Sequence, residues 1–463
     1  MRRPDLRERS VAVVGLARSG VAAARLCARE GARVTVTDAR REDELRPALA
    51  QLGGVEARRA LGGHGAAGLD RQDLVIVSPG VPLALPEIAA ARAAGVTVWA
   101  EVELAWRFLD PGTPVVAVTG TNGKSTTTAL AGALLAADRP TFTGGNLGTP
   151  LCEHVLSGER AAAVVAELSS FQIEGIDLFR ARAAAFLNLT PDHLDRYADV
   201  AAYARAKARL FHRQQPGDVA VANARDPVTL AVTSASRASL LTFGFGPPAA
   251  DGARDPGAEG APAGGHELWV SVGHGSERYR LRNRALRGRH NRENAMAALL
   301  LARAMGVPGA AAQSALDAFP GLPHRLELVS ERGGVEWVND SKATNVDSTS
   351  VALAAFPAGP PRLVIIMGGR GKGAPYVPLR PLFAGRVKAL LTVGEDAPGV
   401  ERDLADLVPT QGCGTLAEAV RRAAGLAAPG DVVLLSPACA SYDQFGSYVE
   451  RGEAFRTLVS GLP

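Results

Sequence analysis

The sequence predicts an α/β protein of about three domains. It has 463 residues, and one domain usually takes about 100–200 residues. Apolar runs of strand length repeatedly lead into Gly-rich or polar turns, and these turns lead into Ala- and Leu-rich stretches with helical periodicity. Such alternation is typical of parallel sheets covered by helices.

The composition is close to that of an average globular chain. Hydrophobic residues make up 47%, charged residues 21%, and the formal net charge is +4, which excludes a disordered chain and a strongly basic nucleic-acid coat. The start has no apolar signal segment, and no run of 18 apolar residues follows. We therefore expect a cytoplasmic protein that binds neither nucleic acid nor membrane. The four widely spaced cysteines are predicted to be buried and reduced: Cys27, Cys152, Cys413 and Cys439.

Lysine is rare in this chain. Of 51 basic residues, 46 are Arg and only five are Lys: Lys124, Lys207, Lys342, Lys372 and Lys388. Because arginine predominates so strongly, a lysine is expected at positions that require a compact ammonium or an amine that can lose its proton. Chance is the alternative explanation for so small a number.

The first hundred residues predict a βαβ unit. The strand Val11–Val14 leads into a turn with Gly15 and Gly20, and a second strand ends at Asp38. Ala17 stands where the dinucleotide-binding fingerprint has its middle Gly, which disfavours an NAD-dependent oxidoreductase. Two interpretations of the turn remain, a purely structural turn and a binding site for a diphosphate. A further strand runs into the turn Ser78–Val81, where ligands of open α/β sheets bind.

The central part contains a shortened phosphate-binding loop. The strand Val115–Val118 precedes Thr119-Gly120-Thr121-Asn122-Gly123-Lys124-Ser125-Thr126, and an Ala/Leu-rich helix follows. Backbone N–H groups of such a loop cradle phosphates, the Lys reaches the terminal phosphates, and the Ser hydroxyl ligates Mg²⁺. A P-loop ATPase acting as a regulatory module stays open as an alternative.

Three downstream residues are candidate partners of this loop. Glu167 ends an apolar strand and suits a second Mg²⁺ ligand, although strand-terminal acids are often only solvated. His193 follows another strand between Asp192 and Asp195 and is either a metal ligand or structural. Lys207 lies in a predicted helix, where an ion-paired surface lysine is the plain alternative.

Two later segments complete this part of the chain. Asn291 and Asn294 lie three apart at the start of a predicted helix, where they could contact a base edge or cap the helix. Residues 244–265 lack periodicity and are predicted to be a surface loop between strands.

The last third predicts a second doubly wound α/β domain. Residues 337–345 and the strand Leu363–Met367 with its Gly-rich continuation are followed by the strand Val432–Leu435, and polar loops come after these strands. A break at residues 321–327 marks a linker. The predicted domains are Rossmann-like over 1–102, a P-loop mononucleotide-binding ATPase fold over 103–321, and Rossmann-like over 322–463.

The motifs together resemble the Mur ligases, the ATP-dependent amide-forming enzymes of peptidoglycan precursor synthesis. Gly120–Thr126 is typical of the superfamily, which also includes folylpolyglutamate synthases. Five further segments resemble the family members that add D-glutamate, namely Ser78–Gly80, Gly145–Gly148, Glu167–Gln172, Asp340–Asn345 and Leu435–Phe445. The resemblance covers nearly the whole chain.

The resemblance implies a reaction and its cofactors. ATP phosphorylates the carboxylate of UDP-N-acetylmuramoyl-L-alanine, and the amine of D-glutamate then attacks the acyl phosphate through a tetrahedral intermediate. It also implies two Mg²⁺ ions, a lysine carbamate formed with CO₂ on Lys207, and a monomeric enzyme. Another Mur-type or folylpolyglutamate-type ligase with a different acceptor remains the alternative.

The resemblance also assigns residues. Catalysis would use Lys124, Glu167, His193 and Lys207, and the Mg²⁺ ligands would be Ser125, Glu167, His193 and carbamylated Lys207. ATP would be held by Gly120, Thr121, Asn122, Gly123, Lys124, Ser125, Thr126, Asn291, Asn294, Arg325 and Asp340. The UDP-linked substrate would contact Arg18, Ser19, Asp38, Arg40, Gly80 and Asn146. D-Glutamate would contact Lys342, Thr344, Lys372, Ser441 and Phe445.

Overall fold

The computed structural model describes residues 3–193, 196–247, 251–256, 266–273 and 275–462. Two compact units are present: the first comprises Met1–Pro256 with Leu268–Tyr279 and Asn294–Ala315, and the second includes Arg280–Glu293 and Leu316–Pro463. The secondary structure is α/β throughout, with three sheets.

The first sheet is parallel and lies in the first unit. Its elements are β1 (Ser10–Val14), α1 (Arg18–Arg29), β2 (Arg33–Asp38), α2 (Arg46–Gln51), β3 (Ala57–Leu61), β4 (Leu74–Val77), α3 (Pro86–Ala93), β5 (Thr97–Ala100) and the following helix α4 (Glu101–Phe108). The strand order is β3-β2-β1-β4-β5, with every neighbouring pair parallel. Because both faces of a parallel sheet are covered, β1 and β4 are continuous apolar runs.

The turn after β1 requires glycine at two positions. Gly15 has φ +89°, and a Cβ on Gly20 would lie 1.8 Å from the carbonyl oxygen of Gly15. Helix α1 can therefore approach the end of the strand closely, which a side chain at either position would prevent.

The second sheet has nine strands. Its elements are β6 (Val115–Thr119), α5 (Lys124–Ala136), β7 (Thr141–Gly145), α6 (Leu151–Ser157), β8 (Ala163–Glu167), α7 (Ser170–Glu174), β9 (Ala183–Phe186), α8 (Val200–Ala208), β10 (Val219–Asn223), α9 (Pro227–Ser234), β11 (Ser239–Phe245), β12 (Gly252–Asp255), β13 (His266–Val272), β14 (Gly275–Leu281), α10 (Arg289–Ala304) and α11 (Gly309–Ala318). The order is β14-β13-β12-β11-β10-β9-β6-β8-β7. Strands β6, β8 and β9 are parallel neighbours, and Glu167 pairs with Val118. The predicted loop residues that follow these strands are thereby brought to one sheet edge.

The first two sheets share one hydrophobic core. Leu26 of α1, Leu104 of α4 and Cys152 of α6 are fully buried in it. The predicted boundary between residues 102 and 103 falls inside α4, and both predicted domain boundaries remain predictions.

The third sheet lies in the second unit. Its elements are β15 (Glu327–Arg332), β16 (Val335–Asn339), α12 (Val346–Ala354), β17 (Leu363–Gly368), α13 (Arg380–Phe383), β18 (Val387–Val393), α14 (Ala397–Leu404), β19 (Thr410–Gly414), α15 (Leu416–Leu426), β20 (Val432–Leu435) and α16 (Tyr448–Ser460). The order is β15-β16-β20-β17-β18-β19, parallel except for the pair β15 and β16. The loops that follow β16, β17 and β20 carry the predicted amino-acid-binding residues.

Three predictions need correction. Residues 244–265 are not only a loop, because β12 adds a strand to the sheet within this range; residues 248–250 and 257–265 lie outside the described residues. Cys413 is only partly buried, whereas the other three free cysteines are buried. Asn291 lies inside α10, which begins at Arg289, so it does not cap the helix.

Candidate active site

The phosphate-binding loop joins β6 to α5 and is held by the segment after β9. The backbone N–H of Asn122 donates to Oδ1 of Asn188 at 2.8 Å, and Nδ2 of Asn188 donates to the carbonyl of Asn122 at 3.1 Å. Thr121 Oγ1 donates to the carbonyl of Thr190. These bonds fix the loop shape from outside the loop, so the geometry is preorganised.

Two lysine ammonium groups meet at this loop. Nζ of Lys124 donates to the carbonyls of Gly120 at 3.0 Å and Thr121 at 2.8 Å. Nζ of Lys207, a side chain with 1% exposure, donates to the same Gly120 carbonyl at 2.9 Å. Burial, reinforced by the charge of Lys124, lowers the pKa of Lys207 to about 7, while Asp192 and Glu167 act in the opposite direction.

Glu167 presents a carboxylate beside the loop. Its side chain is buried, and Oε1 accepts a hydrogen bond from Nδ2 of Asn146 at 2.7 Å. Oε2 is buried and has no hydrogen-bond partner within the described part of the chain. An ionised oxygen in that state is costly unless a cation balances it. The carboxylate therefore fits a magnesium ligand.

His193 lies in the turn after β9. Its Nε2 is 3.6 Å from Oδ2 of Asp192, and its ring packs on Phe171 with a centroid distance of 4.8 Å. The side chain is 42% exposed, so the ring is accessible to a ligand. Asp195, the other predicted flanking acid, lies outside the described residues.

No group of three His, Cys, Asp or Glu side chains in the described ranges is placed to hold a metal ion. Only two residues of the predicted ligand set, Glu167 and His193, are of these types. The set depends on the Ser125 hydroxyl and on a chemically modified Lys207 for its remaining oxygen ligands. It stays a prediction.

An aromatic side chain beside Lys207, that of Tyr203, was not predicted from the sequence. Tyr203 is buried, its ring centroid lies 4.5 Å from Nζ of Lys207, and its ring meets His193 edge-on at 6.0 Å. The signal was present, because Tyr203 and Lys207 are four residues apart on α8 and share one face. Contact with His193 depends on the fold and had no signal in the sequence.

The two asparagines predicted to contact ATP differ in their surroundings. Asn294 accepts a hydrogen bond from Thr127 Oγ1 of α5 at 3.2 Å. It also lies close to the loop, since a Cβ on Gly123 would be 2.3 Å from its Oδ1. Asn291 belongs to the second unit, where its Nδ2 donates to the carbonyl of Arg287 at 3.0 Å.

The residues predicted to contact the UDP-linked substrate lie at or after the ends of β1, β2, β4 and β7. Asp38 accepts from the backbone N–H of Leu16 at 2.7 Å and pairs with Arg40 at 2.9 Å. Burial opposes ionisation of Asp38, but the bonds from Arg40 and Leu16 prevail and lower its pKa to about 2. Four of these residues are exposed: Arg18, Arg40, Gly80 and Asn146. Ser19 is half-buried in the first turn of α1. Because its pKa is low, Asp38 stays charged, and its bond from the N–H of Leu16 holds the turn that begins at Gly15.

The residues predicted to hold D-glutamate all belong to the second unit. Nζ of Lys372 donates to Thr344 Oγ1 at 3.4 Å, and the backbone N–H of Phe445 donates to the carbonyl of Ser441 at 2.8 Å. Nζ of Lys342 lies 5.4 Å from the ring centroid of Tyr448. The structure thereby pairs Lys372 with Thr344 and Ser441 with Phe445.

Arg451 organises these loops and was missed by sequence analysis. Its buried guanidinium donates to Oγ and the carbonyl of Ser341, at 3.0 and 2.9 Å, and to the carbonyl of Cys439 at 3.1 Å. It therefore connects the loop after β16 with the loop after β20. Nothing in the sequence around Arg451, one of 46 arginines, marks it out.

Asp340 and Arg325 lie near each other in the second unit. Asp340 accepts from Ser436 Oγ at 2.9 Å and from the backbone N–H of Leu326 at 3.2 Å. Burial raises the pKa of Asp340 to about 7, and these bonds and the charge of Arg325 oppose the rise. Nε of Arg325 is buried without a partner in the described residues.

Comparisons with known proteins agree with this architecture. The family model of the Mur ligase middle domain matches residues 118–302, that of the Mur ligase, glutamate ligase domain matches 324–439, and that of the Mur ligase MurD-like, N-terminal domain matches 9–100. The chain belongs to the Mur ligase family. The predicted family and the three-domain α/β fold are confirmed.

Two relatives that are similar to this chain over nearly their whole length share one name within the family. The chain is 71% identical over 99% of both chains to UDP-N-acetylmuramoylalanine--D-glutamate ligase of Anaeromyxobacter dehalogenans (strain 2CP-C). It is 54% identical over 98% of both chains to the enzyme of the same name from Myxococcus xanthus (strain DK1622). Among solved structures, the UDP-N-acetylmuramate-alanine ligase MurC of Thermotoga maritima superposes with a TM-score of 0.60 at 21% identity, covering 98% of this chain and 99% of that one. This last likeness concerns the fold alone.

Proposed function

We propose that this chain is an ATP-dependent acid–D-amino-acid ligase that joins D-glutamate to UDP-N-acetylmuramoyl-L-alanine and releases ADP and phosphate. One observation carries the proposal: Lys124 begins the helix after a phosphate-binding loop, and the buried carboxylate of Glu167 ends the adjacent strand. This pair suits phosphoryl transfer from ATP. The identity of the acceptor is supported by the names of the relatives.

Activation of the substrate carboxylate would occur at the phosphate-binding loop. Gly120, Thr121, Asn122, Gly123 and Thr126 would hold the phosphates through the loop and the first turn of α5. Lys124 would exchange its loop carbonyls for phosphate oxygens. Transfer of the γ-phosphoryl group to the carboxylate makes an acyl phosphate, whose phosphate leaves when the amine of D-glutamate forms the amide bond.

Two Mg²⁺ ions are part of this proposal. Ser125 and Glu167 would hold one, and His193 with modified Lys207 would hold the other; the partnerless Oε2 of Glu167 is the feature that supports the first. Bound magnesium neutralises the charge that develops on the phosphoryl oxygens. The protein's own contribution is to fix Glu167 through Asn146 and to hold Lys207 away from water.

Lys207 would act as a carbamate. The Lys207 ammonium first loses a proton. The neutral amine then adds to the carbon of CO₂, an N–C bond forms as one C=O π bond opens to a carboxylate oxygen, and a second proton leaves the nitrogen, so that a cation becomes an anion. A lysine with a pKa near 7 is partly neutral at neutral pH, which the reaction requires. Arginine has no amine that can lose its proton and cannot replace it.

The remaining roles follow the same proposal. Asn291 and Asn294 would contact adenine, and Arg325 and Asp340 would contact ATP. Asp38, Arg40, Arg18, Ser19, Gly80 and Asn146 would surround the UDP-linked substrate. In the second unit, Lys342 and Lys372 would meet the two carboxylates of D-glutamate, with Thr344, Ser441 and Phe445 beside them.

We further propose a monomeric, cytoplasmic enzyme. Every helix in the part of the chain that the structure describes is too short or too polar to cross a membrane. A monomer is checked by light scattering at assay concentration, where a mass near 48.0 kDa is expected.

The experiment that tests the function is phosphate release from ATP with Mg²⁺ and UDP-N-acetylmuramoyl-L-alanine. D-Glutamate is compared with L-glutamate, L-alanine and meso-diaminopimelate. Release only with D-glutamate, and only when the UDP-linked substrate is present, is expected. Release with another acceptor would favour a different amide ligase, and release without any acceptor would favour a bare ATPase.

A further inference from the structure

Arg196 connects two segments of the first unit that are far apart in sequence. Its Nη1 donates to the carbonyl of Pro79 at 3.3 Å, and its Nη2 donates to the carbonyl of Val81 at 3.2 Å. These carbonyls flank Gly80 in the turn after β4. The guanidinium therefore holds that turn from both sides.

The other end of Arg196 is fixed to the turn that carries His193. The backbone N–H groups of Arg196 and Tyr197 both donate to the carbonyl of His193, each at 3.0 Å. Arg196 and His193 are thus parts of one hydrogen-bonded turn.

Helix α7 completes the connection. The guanidinium carbon of Arg196 lies 3.8 Å from the ring centroid of Phe171, and the ring of His193 lies 4.8 Å from the same centroid. Glu174, one turn further along, pairs with Arg196 Nη2 at 3.2 Å. The side chain of Arg196 is only 15% exposed, so these contacts are shielded from solvent.

We infer that Arg196 is a positioning residue that couples the Gly80 turn to the His193 turn, so that binding of the UDP-linked substrate at one favours Mg²⁺ binding at the other. The inference rests on the roles proposed above for Gly80 and His193. Such coupling is reciprocal, because two ligands linked through one equilibrium change each other's affinity by the same factor.

The chemistry of the contacts requires arginine. A planar guanidinium offers five N–H donors, so it meets two carbonyls and a carboxylate while its face stacks on Phe171. A lysine ammonium can pair with Glu174, but it cannot reach both carbonyls and stack at the same time. Arg196→Lys is therefore expected to keep the ion pair and only part of the coupling to the Gly80 turn.

The test measures how Mg²⁺ changes the KM for UDP-N-acetylmuramoyl-L-alanine. In the unmodified enzyme this KM is expected to fall at least fivefold between low and saturating Mg²⁺. In Arg196→Gln it is expected to change less than twofold, with the KM for ATP at saturating Mg²⁺ unchanged and Arg196→Lys intermediate. Arg209→Gln is the matched control, because Arg209 donates to the carbonyl of Ile176 and has no hydrogen bond to the described residues of either turn.

The outcomes separate coupling from a structural role. If Arg196→Gln lowers the melting temperature but keeps the Mg²⁺ dependence of the control, Arg196 only stabilises the fold and the inference is wrong. An active unmodified enzyme whose KM does not respond to Mg²⁺ also overturns it. An unmodified enzyme that does not use D-glutamate would instead refute the proposed function.

Discussion

Lys124 and Lys207 donate hydrogen bonds to the same oxygen, the carbonyl of Gly120, at 3.0 and 2.9 Å. Two ammonium groups at one acceptor repel each other, and burial removes the water that would screen them. Burial and the charge of Lys124 lower the pKa of Lys207 to about 7. The arrangement is suited to anions, because phosphate beside Lys124 or a carbamate on Lys207 would relieve the repulsion.

The first prediction concerns the identity of the amine at position 207. Lys207→Arg is expected to lower kcat on the order of 100-fold, because the guanidinium stays charged and forms no carbamate. Phosphate release with D-glutamate measures the effect. Lys388→Arg is the matched control, since Nζ of Lys388 bonds to Asp431 at 2.5 Å and to the carbonyl of Leu426, neither of which is a proposed site residue. Equal activity of the two variants would contradict the assignment of Lys207.

The second prediction concerns the charge of Glu167. Glu167→Gln keeps an oxygen for Asn146 but removes the negative charge beside the partnerless Oε2 position. The expected result is a loss of kcat on the order of 100-fold and a higher Mg²⁺ concentration for half-maximal rate. A Mg²⁺ titration of phosphate release, with exposed Glu159→Gln as the control, measures both. An unchanged Mg²⁺ requirement would rule out Glu167 as a ligand.

The third prediction is a pH dependence of stability that arises at Glu101. This residue begins α4 with 1% exposure; Oε1 accepts from the backbone N–H of Cys152 at 2.6 Å, and Oε2 has no partner in the described residues. Burial raises the pKa of Glu101 from 4.5 to about 7. The folded state therefore holds a proton that the unfolded state releases between these pH values, and the stabilisation is lost as pH rises through about 7.

Glu101→Gln mimics the protonated carboxyl and removes this dependence. From pH 5 to pH 8 the free energy of unfolding of the variant, relative to that of the unmodified enzyme, is expected to rise by on the order of 2 kcal/mol. Denaturant unfolding at both pH values measures the change, and Glu159→Gln, an exposed acid, is expected to show none. If the free energies of unfolding of Glu101→Gln and of the unmodified enzyme changed with pH in parallel, Glu101 would be ionised in the folded state.

What could be predicted from the sequence is local in origin. Strands β1, β4 and β6 are uninterrupted apolar runs followed by glycine turns, so their positions and the phosphate-binding loop follow from neighbouring residues. Glu167 and His193 could be predicted for the same reason, since Glu167 ends a strand and His193 lies in the turn that follows another. The parallel pairing of β6 with β8 and β9 places the residues after these strands at one edge of the sheet, and this placement follows from the strand order alone.

What could not be predicted depends on contacts between distant segments. Arg196 holds the Gly80 turn across more than 110 positions of the chain, and Arg451 reaches Ser341 across 110. In a chain with 46 arginines, residue type gives no indication of either contact. Strand β12 was missed because its sequence, Gly252–Asp255, has a glycine and two charged residues. It is a strand because β11 and β13 pair with it on either side.

The last prediction concerns the glycine that precedes α5. Gly123 has φ +83°, a left-handed conformation, and a Cβ there would lie 2.3 Å from Oδ1 of Asn294 and 3.4 Å from Leu187. Gly123→Ala is expected to destabilise the fold by about 1–2 kcal/mol from the backbone alone. It should also displace Asn294, so the KM for ATP is expected to rise on the order of tenfold while the KM for D-glutamate stays within twofold.

Gly112→Ala is the control for this variant. Gly112 is exposed between α4 and β6, and a Cβ there meets nothing within 4 Å. Its replacement should leave both KM values unchanged, because a compatible Gly→Ala change acts mainly by restricting the unfolded chain. If Gly123→Ala kept the KM for ATP of this control while losing stability, the close approach of Asn294 to the loop would have no part in nucleotide binding.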